Sequence, residues 1–387
     1  MIFIAGIVIS LFLSALLLFK KNKSTADKIL LAWFLLMAAH QAFYYFENSE
    51  YQSRFPFLIG YELPFPLIQA VMLFLYASAL TDNLPGKKVY WLLHFLPAIA
   101  CYIYLIEFLS RPAGEKLYIV THQGVGYEAF ILIKLYAIIL SGIIYVTWTL
   151  VLLHRHQKKI RDNFSDIEKI NLLWLQYLTY GVGIIWLTVI FGDDVHTFIA
   201  IVLYVMVIGF FGIRQTSIFS HNMPLAAETV PHNLKAESEI ENSPLPEPDV
   251  ESNAEKNKYQ KSGLDEDELL LIHEKLTNLM QRERLYTNPE LTLSDTAHYL
   301  NIHPNYLSQV INSVTKKNFY DYINSQRVEE FNRIVKESKN QKFTLLSLAF
   351  ECGFNSKTSF NRNFRKVTGL SPSQYLKQMN VAYHQVN

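Results

Sequence analysis

The 387-residue sequence lacks most of the motifs that mark a catalytic or metal-binding protein. Its two cysteines, Cys101 and Cys352, lie in compositionally different halves, which excludes a disulfide framework and a metal site built from Cys ligands. It has no glycine-rich phosphate loop, no G-x-S-x-G nucleophile elbow and no H-E-x-x-H zinc motif. We therefore predict that the chain is not an enzyme and requires neither a cofactor nor a metal.

Charge is also scarce: 18% of the residues are charged and 50% are hydrophobic. The apolar residues are concentrated in the first 213 positions, whereas charged residues are frequent afterwards. A membrane-spanning helix needs about 20 mostly apolar residues, because lipid offers the backbone no hydrogen-bond partner. We predict a transmembrane domain over residues 1–213, with seven spans at 1–19, 29–46, 57–80, 89–109, 128–153, 172–191 and 197–213.

The short segments between these spans differ in their content of Lys and Arg, which sets membrane orientation. The segments after spans one, three, five and seven contain twelve such residues: Lys20, Lys21, Lys23, Lys28, Lys87, Lys88, Arg155, Lys158, Lys159, Arg161, Lys169 and Arg214. The intervening segments contain Arg54, Arg111 and Lys116. The bias predicts a multi-pass protein of the cytoplasmic membrane with its amino terminus outside, a solvated cytoplasmic loop at 154–171, and everything after residue 213 in the cytoplasm.

Two ionisable residues, Glu62 and Lys134, fall inside predicted spans, about six residues from the outer end. Charge within a membrane is costly, so such residues often mark a functional site. They could line an outward-facing signal or ligand site together with His40, Gln69, Glu107 and Glu128. The alternative is a structural ion pair, or a lysine that extends to the interface.

Residues 214–263 are predicted to form a disordered acidic linker. The region contains five prolines, eight acids and four bases between 221 and 262, and almost no aromatic residue. Such a composition cannot bury a core. The following domain, 264–387, would be held near the membrane by a flexible tether.

The carboxyl-terminal domain contains an internal repeat of amphipathic helices. Residues 293–323 match residues 345–376: Ala297 and Ala349 are 52 positions apart, whereas Leu307 and Phe360 are 53 apart. Each copy reads as a short helix, a tight turn and a second helix with apolar residues at i and i+3 or i+4. Pro304 and Ser356 are suited to the start of the two second helices. We predict two helix-turn-helix units, at 293–313 and 345–367, in an all-α chain.

The outer face of each second helix has side chains suited to DNA. From Cys352 to the end the chain has five bases and no acid. Arg and Asn recognise guanine and adenine edges, and Lys and Arg hold phosphates. The predicted DNA-binding residues are Asn305, Ser308, Gln309 and Asn312 in the first unit, with Lys316 and Lys317 behind them, and Lys357, Thr358, Asn361, Arg362 and Arg365 in the second.

The stretch LAFECGFNSKTSFNRNFRKVTGLSPSQY resembles the signature of the AraC/XylS transcription regulators, and the resemblance covers residues 264–380. It implies seven helices, with a long helix at 319–338 joining two recognition helices that enter successive major grooves. It further implies RNA polymerase as a partner and activation as the sign of regulation. His303 and Lys316 depart from the family pattern, which usually has Ser and Gly there. Seven spans before this domain resemble a membrane-embedded bacterial subset.

These observations predict a membrane-anchored, sequence-specific transcription regulator that binds double-stranded DNA and couples a membrane or extracytoplasmic signal to gene expression. Homodimerisation would raise its affinity through effective concentration. Two alternatives remain. The front half could be a transporter or membrane enzyme with a regulatory tail, or the tail could be a protein-interaction module.

Overall fold

A computed structural model describes residues 2–47, 49–87, 89–191, 194–219, 265–337 and 343–379. The described part is helical and contains no β-strand, apart from one isolated bridge between Phe164 and Thr292. Two compact units are formed, one by residues 1–157 and 172–223 and the other by residues 158–171 and 224–387. Most of the predicted linker, residues 220–263, lies outside the described residues, whereas residues 214–219 end a helix.

The first compact unit contains ten α-helices and one 3₁₀ turn, Pro56–Leu58, in the described residues. The α-helices are α1 Ile2–Phe19, α2 Thr25–Glu47, α3 Tyr51–Arg54, α4 Phe65–Leu80, α5 Val89–Leu93, α6 Leu96–Ser110, α7 Ala113–Thr121, α8 Glu128–Asn163 (to residue 157 in this unit), α9 Leu173–Phe191 and α10 Asp194–Phe219. Buried side chains of α1, α2, α4, α9 and α10 form its main hydrophobic core.

Two of these helices, α2 and α8, are long and apolar enough to cross a membrane. Shorter apolar helices are found at Phe3–Phe19, Phe65–Leu80, Leu96–Ser110 and Ile199–Ile213. The seven-span arrangement therefore stays a prediction.

Two of the predicted spans are interrupted, each near a proline. The stretch 57–80 is α-helical only from Phe65, after a turn in which Gly60 has a φ of +95°. The stretch 89–109 is divided between α5 and α6, and Pro97 occupies the first turn of α6. A proline lacks the N–H that an uninterrupted helix would use there, so the helix starts afresh.

The basic stretch after residue 153 also differs from its prediction. We expected a solvated loop at 154–171, but α8 continues to Asn163. Its Lys and Arg residues are compatible with a helix, and Ile160 and Leu153 supply buried positions seven residues apart, at helical spacing. Residues 164–172 connect α8 to α9.

The second unit contains seven α-helices in the described part of residues 265–379, the number that the resemblance implied. They are α11 Glu266–Glu283, α12 Leu293–Tyr299, α13 Pro304–Val310, α14 Phe319–Ile334, α15 Leu345–Glu351, α16 Lys357–Thr368 and α17 Pro372–Gln378. The linking helix α14 ends at Ile334 rather than at 338, and a turn follows at residues 335–336.

Helix α14 contributes to two separate cores. Phe319, Tyr322 and Ile323 pack with α11, α12 and α13, whereas Val328 and Phe331 pack with α15, α16 and α17. Residues three and four apart lie on one helix face, and the buried face turns gradually along the helix. The linking helix therefore holds one helix-turn-helix unit at each end.

Candidate nucleic-acid interface

The two helix-turn-helix units are built by equivalent local interactions. In each unit the residue after the turn donates its N–H to the carbonyl of the alanine of the first helix, from Ile302 to Ala297 at 3.1 Å and from Phe354 to Ala349 at 3.2 Å. Both alanines are fully buried, as their small size requires at a close helix contact.

Helix α16 begins at the predicted cap. The Ser356 hydroxyl accepts the Ser359 N–H at 3.0 Å, which satisfies one free amide of the first turn. The turn before it depends on Gly353, whose φ is +96° and whose hydrogen faces the Tyr286 carbonyl oxygen. A Cβ at this position would come within 2.4 Å of that oxygen, so only glycine fits.

Helix α16 presents a basic outer face. Phe360 and Phe364 are buried, and the five side chains predicted to face outward are all exposed: Lys357, Thr358, Asn361, Arg362 and Arg365. The Arg362 guanidinium donates to the Tyr320 hydroxyl at 2.8 Å, which holds it above the linking helix. The arrangement supplies guanidinium, ammonium and amide groups on one helix face, the combination suited to phosphates and base edges.

The first helix-turn-helix unit presents a smaller and uncharged face on α13. His303 takes the place of the usual serine and still caps α13, because its Nδ1 accepts the Asn305 N–H at 3.2 Å. Asn305 is exposed, and Ser308 and Asn312 are half-buried and joined by a 3.3 Å hydrogen bond. Lys316 and Lys317 are exposed behind them.

Gln309 is a correction to the predicted interface. We placed it on the outer face, but its side chain is buried. Helix α13 has only seven residues, and the chain then widens into a π-turn at Ile311–Thr315. By the 3.6-residue period Gln309 lies on the outward side of α13, but the period does not show which side chains are covered by neighbouring parts of the fold.

A buried arginine of the linking helix, Arg327, was missed by the sequence reasoning. Its guanidinium donates to the carbonyl oxygens of Tyr286 at 2.7 Å and Asn288 at 2.9 Å, and to Ser165. Burial lowers the pKa of Arg327 to about 10, and nearby Asp166 opposes that shift. Arg327 thus stays charged at neutral pH and orders the chain before α12. Sequence alone gave no signal for these contacts, since they join residues 39 to 162 positions apart.

The residues of the predicted signal site lie in the first compact unit, which comprises residues 1–157 and 172–223. Glu62 is buried beside the carboxyl of Glu47, and no hydrogen bond joins it to Lys134, the partner suggested for it, among the described residues. Lys134 borders a cavity of about 290 Å³ lined by apolar side chains such as Phe108 and Phe130. His40 and Gln69 instead line another cavity, of about 310 Å³.

The family match lies within the second compact unit. Residues 296–378 match a family described as "Helix-turn-helix domain". The melibiose operon regulatory protein of Escherichia coli K12 is 28% identical over 22% of this chain and 28% of its own length. The uncharacterized transcriptional regulators YijO of E. coli K12 and YobQ of Bacillus subtilis 168 are 34% and 36% identical, over 23% and 22% of this chain and 30% and 34% of their own lengths. The chain thus covers about a third or less of these relatives.

These matches and the geometry agree. The carboxyl-terminal part of the chain is an AraC-type helix-turn-helix domain, and the relatives that share it are transcription regulators.

Proposed function

We propose that the chain is a membrane-anchored transcription regulator that binds specific sequences in double-stranded DNA through the two helix-turn-helix units. The observation that carries this proposal is the outer face of α16, where five exposed side chains (Lys357, Thr358, Asn361, Arg362, Arg365) stand over a buried phenylalanine core. A face that only needed to be soluble would not require a buried glycine turn and a hydroxyl cap to aim it.

Anchoring in the cytoplasmic membrane is the second part of the proposal. Helix α8 exposes a run of large apolar side chains that would be unfavourable in water, among them Ile131, Leu132, Ile133, Leu135 and Tyr136. Together with the seven apolar stretches and the twelve-to-three distribution of Lys and Arg, this supports seven spans with the amino terminus outside. Reporter fusions after residues 50, 122 and 387 would test it: the first two should report an external location and the third a cytoplasmic one.

The first compact unit, which contains the predicted spans, would receive the signal. Glu62 supports a polar site there, because it is buried beside the carboxyl of Glu47, and two buried carboxyl groups together are costly unless a cation or a proton offsets their charge. Lys134 would be the second member of that site. Signal binding would change the access of the carboxyl-terminal domain to DNA. The protein would act as a homodimer or as a monomer. RNA polymerase would be its partner if it is an activator, as the resemblance to this family implies.

The DNA proposal is tested by selection from random duplexes. The full chain in lipid nanodiscs is incubated with the library at two salt concentrations, and bound duplexes are sequenced. We expect a motif in two parts about one helical turn apart, because two recognition helices would read one face of the DNA. Binding without a motif and with a steep salt dependence would mean phosphate attraction alone and would contradict sequence-specific recognition.

Arg362→Ala provides the matched single-residue test. Loss of a guanidinium that contacts a base should weaken binding to the selected duplex by about 1–3 kcal/mol and relax the preference at one position. Arg282→Ala removes the same charge from α11, where Arg282 pairs with its neighbour Glu283, and should change neither affinity nor preference. Equal effects of the two substitutions would rule out a base-reading role for Arg362.

A further inference from the structure

The segment 164–168, here called the docking segment, lies against the helix-turn-helix domain within the second unit. In the sequence it follows α8 and precedes α9, so it is covalently joined to both. Its backbone pairs with the chain that leads into α12: Phe164 forms a β-bridge with Thr292, and the Ser165 N–H donates to the Leu291 carbonyl at 3.2 Å.

The centre of the docking segment is Ser165, which is fully buried. Its carbonyl oxygen accepts from the Asn324 amide at 3.0 Å and from the Arg327 guanidinium at 3.2 Å. Its hydroxyl accepts a second Arg327 N–H at 3.0 Å and donates to the Pro289 carbonyl at 3.3 Å. Buried polar groups are normally satisfied, and here the linking helix satisfies those of a residue about 160 positions away.

Two carboxylates of the docking segment then reach the start of α16. Asp166 accepts the Asn355 amide N–H at 2.7 Å, and Glu168 accepts the Ser356 hydroxyl at 2.5 Å. The second oxygen of Glu168 lies 4.0 Å from the Arg362 guanidinium. Asn355 is the one residue that the second turn has in excess of the first, as the change in repeat spacing from 52 to 53 shows.

Helix amino termini and their flanking bases favour anions, which is why they hold DNA phosphates. In this structure protein carboxylates occupy that place at α16. A phosphate backbone brought to the same end of the helix would meet two negative charges and would have to displace them. In the first helix-turn-helix unit, no carboxylate of the docking segment contacts the start of α13 among the described residues.

We infer that the docking segment is a built-in competitor of DNA: its carboxylates cover the start of the second recognition helix, and DNA binds there only when the segment is released. The inference rests on the proposed DNA-binding function and adds the route by which α8 and α9 would control it. A shift of either helix would act on the domain through the nine residues that connect the two helices, 164–172, without any long tether.

The test is the affinity of the full chain in nanodiscs for the duplex enriched in the selection, measured by fluorescence anisotropy. Asp166→Ala with Glu168→Ala removes both side-chain hydrogen bonds and both charges, and we expect about tenfold tighter binding, since like charges at an interface are strongly unfavourable. Asp267→Ala with Glu274→Ala removes one Asp and one Glu from the exposed face of α11 and should change the affinity less than about twofold.

A covalent link tests the same inference in the opposite direction. Asp166→Cys with Asn355→Cys places two thiols at the contact, and a short reductant-cleavable bifunctional thiosulfonate joins them. The joined protein should lose at least about tenfold in affinity and regain it on reduction, whereas each single variant should not respond. Joined protein that binds as well as unjoined protein would overturn the inference, because the segment would then be a permanent part of the domain.

The outcomes also separate this inference from the function on which it rests. If no variant binds any duplex, the proposed DNA-binding function fails, and the competitor role fails with it. If the wild type, the alanine variant and the joined protein all bind equally well, DNA binding stands and the competitor role alone is wrong.

Discussion

The two helix-turn-helix units share one backbone plan and differ in what they place on it. Their turns use positive φ at equivalent positions, Asn301 at +54° and Gly353 at +96°, and their second helices end in the same left-handed conformation, at Lys316 and at Gly369. The first helix-turn-helix unit thus adopts these positive φ angles at Asn301 and Lys316, where the second has glycine.

Their cores differ as well. The second core contains a cluster of aromatic rings around Phe331, with Phe360 and Phe364 at centroid distances of 4.7 and 5.6 Å, whereas the first is mostly aliphatic around Leu307 and Ile311. Aromatic pairs of this geometry add to the stability of a core beyond their buried area. The unit with the aromatic core is also the one with the charged outer face.

The difference teaches that the two units serve unequal purposes. The second has the basic face, the strict turn and the carboxylates of the docking segment, and the first has a neutral face and a tolerant turn. We expect the second unit to dominate phosphate attraction and control, and the first to add sequence preference. The first two predictions below compare equivalent positions of the two helix-turn-helix units.

The largest expected effect is that of Gly353→Ala. The new Cβ would lie within 3.0 Å of two carbonyl oxygens of the Tyr286–Thr287 backbone and would force a positive φ on alanine, so the domain should lose about 3 kcal/mol of unfolding free energy. Asn301→Ala at the equivalent position of the first unit should cost about 1 kcal/mol. Peptide-resolved hydrogen exchange of the full chain measures both. Equal losses would show that the two turns are equally strict.

A smaller and opposite pair of effects is expected at the ends of the second helices. Lys316→Gly should stabilise the first unit by about 0.5–1 kcal/mol, because glycine adopts φ of +56° without the strain of a side chain. Gly369→Ala should destabilise the second unit by about 1 kcal/mol through backbone conformation alone, since a Cβ there meets no atom within 4 Å. Thermal unfolding of the full chain would show shifts of opposite sign; a destabilising Lys316→Gly would mean that the lysine makes a contact worth more than its strain.

Local patterns made much of this domain predictable. The turn at Gly353, the cap at Ser356 and the buried register of Phe360 and Phe364 follow from short-range rules, and the structure agrees with each. The buried position of Gln309 escaped because the helical period does not show which side chains the rest of the fold covers. Contacts of Arg327 escaped for a related reason: they depend on which distant segments meet, and periodicity carries no information about that.

The same limit applies to the first half of the chain. Hydropathy locates apolar stretches, but it does not show where a proline divides one, as between α5 and α6. Nor does a basic composition distinguish a loop from the end of a long helix, because Lys and Arg are good helix formers. Residues 154–163 were misassigned for that reason.

The smallest expected effect is a pH dependence of the folding stability at the junction between the two helix-turn-helix units. Glu330 of the linking helix pairs with Arg333 and Arg284, and its hydrogen bond with Arg333, followed by the charge of Arg284, lowers the pKa of the carboxyl. A carboxyl whose pKa is lower in the folded state than its unfolded value of about 4.5 stabilises the fold above that pH and ceases to do so as the pH falls through its folded value.

The Leu285–Thr287 turn should therefore be the first to lose stability in acid, by less than about 1 kcal/mol, because both arginine side chains are about half exposed. This turn also packs under Gly353, so its opening should loosen the second unit more than the first. Hydrogen exchange between pH 3.5 and 7, corrected for intrinsic rates, would show the change in amides 285–288, and Glu330→Gln should abolish it. If the amides of α12 and α13 lost protection at a higher pH than those of this turn, the prediction would be wrong, because the first helix-turn-helix unit would then be the more acid-sensitive part.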